Sequence, residues 1–472
     1  MLNKKQTLAL ALAAVMTLSL LAVSADLTEG EGGSPDGTQG TQNILIAPNP
    51  NAADPASSAQ EDGQTEQTPA QEVPEGEAAA QEPAPDPEGT LSFVNLEKRV
   101  REGSLYYRMA EENAAFLEAY DFEKMKEDLR DGLNEIANMQ RQAYTGGSQS
   151  STGIPGLDQA LQGMAAVSTA SAVQALDAQY DALREQFDAL KDGETQKEIA
   201  DGIRQVRNEQ DKIVKQAQSA YIMLLEGEAG DATLATNLAA LDRGIEEMEL
   251  RYQFGQVSAM QLQSLKTTRS SLASQQLSVQ TSIKNGLMQM ESLIGAEITG
   301  TTKLAPLPQV SREELDAMAL EADLAAAKEA SFDLYNAKKT LDDAEETFKD
   351  AGKEYNHNTK KYEYVQAQHT WQAAQYTYQA TVQTFELAFH TLFAQVKDCQ
   401  QLLDAARTAL AMEQDNYAVD QLKYEQGTIS KNTLLTAQDD LAAAQNAVAT
   451  AERNLFSAYN DYRWAVDHGI LN

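Results

Sequence analysis

Residues 427–462 read GTISKNTLLTAQDDLAAAQNAVATAERNLFSAYNDY. Within them Leu434, Ala437, Leu441, Ala444, Val448, Ala451, Leu455, Ala458 and Tyr462 recur at alternating steps of three and four residues. All are apolar, and large side chains take turns with alanine. Such steps keep one stripe of a helix against one neighbour, which is the signature of a coiled-coil seam. Alanine lets two helix backbones approach, and the larger residue fills the remaining volume. The preceding stretch repeats the pattern at Phe385, Phe389, Leu392, Val396, Cys399, Leu403, Ala406 and Leu410, then weakens at Glu413 and Asp420. Cys399 lies on this seam, so it reads as a small buried hydrophobe rather than a nucleophile. Helix breakers are scarce: neither Gly nor Pro occurs in the 74 residues between Gly352 and Gly427, in the 43 from Gln309 to Ala351, or in the 41 from Thr428 to His468. Globular helices seldom pass about 20 residues unbroken. The expected fold is therefore all-α, built of long antiparallel coiled-coil helices. One of these, from about Glu363 to Gln426, should be roughly 96 Å long.

Two short interruptions resemble each other. Arg251-Tyr252-Gln253-Phe254-Gly255-Gln256-Val257-Ser258 and Lys423-Tyr424-Glu425-Gln426-Gly427-Thr428-Ile429-Ser430 both read basic-Tyr-x-x-Gly-x-(Val/Ile)-Ser, 172 residues apart. Glycine supplies the left-handed residue that ends a helix, and serine three positions on caps the returning one. Each segment is thus expected to be a tight hairpin turn. Shifting the seam of 434–462 back by 172 gives Leu262, Leu265, Arg269, Leu272, Gln276, Val279, Ile283, Gly286 and Met290, a retained register with two polar exceptions. The period is too long for a solenoid unit and indicates duplication of a large helical half. The halves are expected at 91–300 and 311–472, joined by a linker at 301–310 in which Pro306 and Pro308 forbid continuous helix.

Composition narrows the function. The 472 residues hold 71 acidic and 37 basic side chains, a net charge of −34, which excludes nucleic acid as a partner because phosphate recognition needs a basic footprint. A single cysteine excludes a disulfide framework. His357, His369, His390 and His468 form no His-x-x-x-His pair, and no nucleotide or hydrolase fingerprint occurs. Acidic residues are spread along helix faces beside Lys and Gln, as on a solvated surface. No catalytic, cofactor-binding or metal-binding residue is assigned, and the chain is not read as an enzyme. Residues 1–25 read as an export signal, with Lys4 and Lys5, an apolar run from Leu8 to Val23, and Val23-Ser24-Ala25 before Asp26. An uncleaved anchor is the alternative. Residues 26–90 hold nine of the 12 prolines and 14 acidic residues without one Lys or Arg, the composition of a disordered linker or tether.

The two hairpin motifs, the segment Leu304-Ala305-Pro306-Leu307-Pro308, and the run from Gly427 to Tyr459 resemble the TolC family of outer-membrane efflux proteins. The resemblance covers residues 91–472 in organisation. It implies a homotrimer enclosing a long α-helical tunnel, and an exported protein of the cell envelope. It also implies hairpin tips that dock a periplasmic-adaptor-like membrane-fusion protein joined to an ABC-type or other inner-membrane exporter. By that resemblance Tyr252, Gly255, Val257, Ser258, Tyr424, Gly427, Ile429 and Ser430 are the docking tips. Two departures stand out. The places for membrane strands, Tyr144–Asp158 and Ala351–Val365, lack an apolar alternation, so the barrel is expected to be absent and a single-membrane envelope fits. Some members carry an acidic gating residue six positions after the tip glycine, where this chain has Gln261 and Thr433. The competing reading is a secreted coiled-coil scaffold or spacer of the envelope without transport. An adaptor is disfavoured because no β-rich region flanks a hairpin.

Overall fold

The computed structural model describes residues 84–145 and 155–471, with side chains over 84–143 and 170–471. The expected signal at 1–25 and most of the expected linker, 26–83, lie outside them. In chain order the elements are β1 (Thr90–Leu91), α1 (Phe93–Gly103), α2 (Leu105–Glu118), α3 (Phe122–Thr145), α4 (Pro155–Lys191), α5 (Glu194–Gln253), α6 (Ala259–Leu293), β2 (Lys303–Leu304), α7 (Arg312–Asp316), α8 (Leu320–Ala330), α9 (Phe332–Glu354), α10 (Tyr362–Glu425) and α11 (Lys431–His468). The fold is all-α. Its strands, among the described residues, are two dipeptides paired in parallel, Thr90 with Lys303 and Leu91 with Leu304. No described helix is long and apolar enough to cross a membrane.

α10 spans 64 residues, one position earlier than the sequence suggests. Every residue of the 434–462 seam lies on the packed side of α11, and so does the 385–410 seam on α10, Cys399 half-buried among it. Burial pushes the Cys399 thiol above its ordinary range. On α6 the shifted seam faces α5, with Arg269 the one exposed member. Arg269 instead reaches across to Asp242 of α5, Nε to Oδ1 at 2.7 Å and Nη2 to Oδ2 at 3.1 Å. Its hydrogen bonds hold the Asp242 carboxyl below the usual range.

Four long helices pack in the order α6–α5–α11–α10. The α5–α11 contact joins the two halves along most of its length. It runs from His468 Nδ1 beside Asp211 (2.9 Å) and Trp464 Nε1 donating to Gln218 Oε1 (2.7 Å) to Asn432 Nδ2 donating to Glu247 Oε2 (3.0 Å). From Asp211 to Glu247 this antiparallel register extends about 54 Å. Both hairpin turns therefore sit at the same end of the row.

Each half begins with the same kink. Ser104 closes α1 and opens α2, and Ser331 closes α8 and opens α9, both buried and both extended in backbone (φ −68° and −66°). Against Ser331 lies Gly469, where an added Cβ would come within 2.3 Å of the Ser331 backbone; Gly295 meets the Gly103 carbonyl in the same manner, at 2.4 Å. Close backbone packing and a serine that caps the next helix therefore break the Gly- and Pro-free run 309–351, which the sequence alone suggests is continuous.

The stretch for the first pair of membrane strands is helical at its ends, through Thr145 and again from Pro155, with 146–154 outside the described residues. The second is the end of α9, a turn, and the start of α10. In that turn Asn356 and His357 take φ of 51° and 54°. The His357 ring lies over Gly352 and edge-on to Tyr364 at 5.8 Å. The last residues of the expected linker join the body: Asp86 accepts from Ser92 N–H (3.1 Å) and Asn95 Nδ2 (2.8 Å).

Candidate functional site

The paired turns are built alike. α5 ends with Gly255 at φ +68°, which lets Gln256 N–H reach back to Arg251 O at 2.9 Å and Gly255 N–H to Tyr252 O at 2.9 Å. α10 ends with Gly427 at φ +71°, Thr428 N–H on Lys423 O at 2.9 Å and Gly427 N–H on Tyr424 O at 2.9 Å. Both are the Schellman closure that glycine makes without a steric penalty. No heavy atom lies within 4 Å of a Cβ built on either glycine, so its backbone angle alone demands the residue.

The returning helices are capped by the expected serines. Ser258 Oγ accepts from Gln261 N–H (3.2 Å), and Gln261 Oε1 accepts from Ser258 N–H (2.9 Å), a full capping box. Ser430 Oγ accepts from Thr433 N–H (3.1 Å), with the two hydroxyl oxygens 2.9 Å apart. Gln261 and Thr433, six positions after the tip glycines, are thus the third residues of their helices and close the caps.

Val257 and Ile429 tuck half-buried under the turns, whereas Tyr252, Gly255, Ser258, Tyr424, Gly427 and Ser430 are exposed. All eight residues chosen from the sequence therefore fall in two turns of one geometry, brought to one end by the α5–α11 register. The sequence motif missed a further set. Leu250 and Leu422 are exposed at equivalent positions, and the first turn adds Phe254 at 72% and Met260 at 81% exposure. Their counterparts 172 residues on are the polar Gln426 and Asn432. The available signal was a Phe beyond the last seam position, where no core remains to receive it. With helix ends satisfied internally, the tips present exposed apolar side chains on closed turns.

No family model matches the sequence, and no curated protein matches it. The chain is similar to solved outer-membrane channels. These include the CmeC channel of Campylobacter jejuni (13% identity, 61% of this chain and 68% of that one, TM-score 0.43). VceC of Vibrio cholerae is 14% identical over 80% of this chain and 96% of its own, with a TM-score of 0.41. The channel OprN is 12% identical over 80% and 90%, with a TM-score of 0.42.

Proposed function

We propose that this chain is one wall segment of an exported helical conduit in the cell envelope, a trimer whose hairpin tips capture an adaptor protein coupled to an ABC-type or other inner-membrane exporter. The observation that carries the reading is the pair of open edges on the four-helix row. α10 has a second stripe, Tyr376, Leu387, Met412 and Val419, all exposed and, at 100° per residue, roughly opposite its α11 seam. α6 has a matching outer stripe at Thr267, Ser270, Ser274, Leu277 and Thr281, again stepped by threes and fours. The Thr267, Ser274 and Thr281 hydroxyls donate to carbonyls four residues back at 2.8–3.0 Å, so that face needs no water to satisfy them.

One edge is large and apolar, and the other is small. The α10 edge of one copy fits the α6 edge of the next, antiparallel, with every tip at one end. Such a head-to-tail contact closes a ring when its rotation allows. Three copies and the transport role follow the family resemblance at the hairpin motifs.

The test is solution mass together with adaptor capture. The chain should run as a closed oligomer. Leu387→Glu, on the α10 edge, should yield a helical monomer that captures adaptor at least ten-fold less well. A monomeric parent protein at high concentration would remove the conduit. An oligomer that captures no adaptor would leave the scaffold reading in its place.

A further inference from the structure

Where the halves meet, the chain from Pro306 to Val310 passes over the junction of α5, α10 and α11 and borders a cavity of about 300 Å³ that is open on one side. Its lining is mainly apolar, with Leu225 of α5, Leu403 of α10, Leu455 of α11, and Leu307 and Val310 of the linker. Pro306 and Pro308 bring rings to this roof and no N–H donor. Three charged side chains enter it. Arg407 and Glu452 satisfy each other at 3.0 Å. Arg453 is left as the net charge: its Nη2 donates to Thr450 Oγ1 at 2.9 Å, but its buried Nε–H has no acceptor. A buried donor on a charged group without an acceptor is costly and calls for a partner.

We propose that this cavity is a binding site for a small amphipathic carboxylate of medium chain length. The volume lies at the lower end of the range for small-molecule pockets, and an apolar wall with a few convergent polar groups is their usual composition. A carboxylate presents planar acceptors to the Arg453 guanidinium, and its alkyl chain replaces water against the leucines. The overall charge of −34 would repel an anion from most of this surface, whereas the cavity carries one uncompensated positive charge. A ligand here touches both halves and their linker, and so fastens the junction. The site is independent of the conduit reading.

The experiment titrates octanoate, below its aggregation concentration, into the full-length protein by calorimetry. The expected result is saturable binding at one site per chain, with butyrate and 1-octanol each at least ten-fold weaker. Arg453→Met should weaken octanoate at least ten-fold and leave octanol unchanged. Ala449→Leu, which fills the cavity from α11, should abolish binding while holding or raising the melting temperature. Heats that never saturate mean the cavity holds only water and overturn the proposal. So does octanol binding as tightly as octanoate, or a folded Ala449→Leu protein that still binds normally. The last arm decides the matter even if Arg453→Met fails to fold.

Discussion

Glu291 shows how much one side chain fixes at the junction of the halves. Fully buried at the end of α6, its carboxylate accepts the N–H groups of Thr299 and Gly300 at 2.6 Å and of Thr301 and Thr302 at 3.1 Å, with the Thr299 and Thr302 hydroxyls at 3.1 and 2.8 Å. Burial alone would raise its pKa, but these hydrogen bonds favour the charged form and bring it down to about 2 from an ordinary 4.5. A depressed carboxylate contributes stability that is complete above its unfolded value and is lost as pH falls through the folded one. Glu291→Gln should therefore cost about 2–3 kcal/mol at neutral pH. The gap between variant and parent in denaturant melts should shrink between pH 4.5 and pH 2; a gap constant across that window refutes the assignment. The tip glycines are a different case. With open space around them, Gly427→Val is resisted only by its left-handed backbone, at about 1–2 kcal/mol. Circular dichroism should register nearly unchanged helix, while adaptor capture falls because the turn has opened. Unchanged capture would show that the Gly427 turn geometry is not needed for docking.

Among the elements, α10 and α11 were legible because a 3–4 step specifies which face is buried whatever the partner is. The shifted seam on α6 shows its exception in the same way: Arg269 breaks the apolar stripe and forms half of an ion pair with Asp242. The kinks at Ser104 and Ser331 were not legible. They depend on the Gly295 and Gly469 backbones arriving from nearly 140 or more residues away, and no local residue type announces that. At the tips the turn was readable from Gly and Ser, which act locally, while the apolar exposure of Phe254 and Met260 required knowing that no core lies above them. That exposure makes the two hairpins unequal. Both share Leu250/Leu422 and Tyr252/Tyr424, but only the first adds two large apolar side chains. Phe254→Ser should weaken adaptor capture by at least ten-fold, and Gln426→Ser by less than two-fold, with both proteins melting alike. Equal losses in a surface-immobilised binding assay would mean that the partner reads the two turns as equivalent.

Across the chain as a whole, the two halves differ in length in one place. Ser104 stands 151 residues before Gly255, and Ser331 stands 96 before Gly427, so the first half is 55 residues longer between kink and tip. The surplus falls in α3 and α4, which pack chiefly on each other where the second half has only the turn from Tyr355 to Lys361. Leu133, Ile136 and Val173 are buried in that region and belong to none of the clusters that bind α1, α5, α6, α10 and α11 together. Aligning the kinks matches Glu127 with Glu354, and aligning the tips matches Leu190 with Tyr362, the two residues that flank that short turn. Replacing residues 128–189 by the sequence of 355–361 should then leave the α6–α5–α11–α10 row intact, because no side chain of its seams is removed. The shortened protein should keep a single cooperative unfolding transition, with its melting temperature within a few degrees of the parent's, and the same oligomeric mass. Loss of the cooperative transition would show that α3 and α4 hold the first half together. In that case the short turn of the second half would not be their structural equivalent.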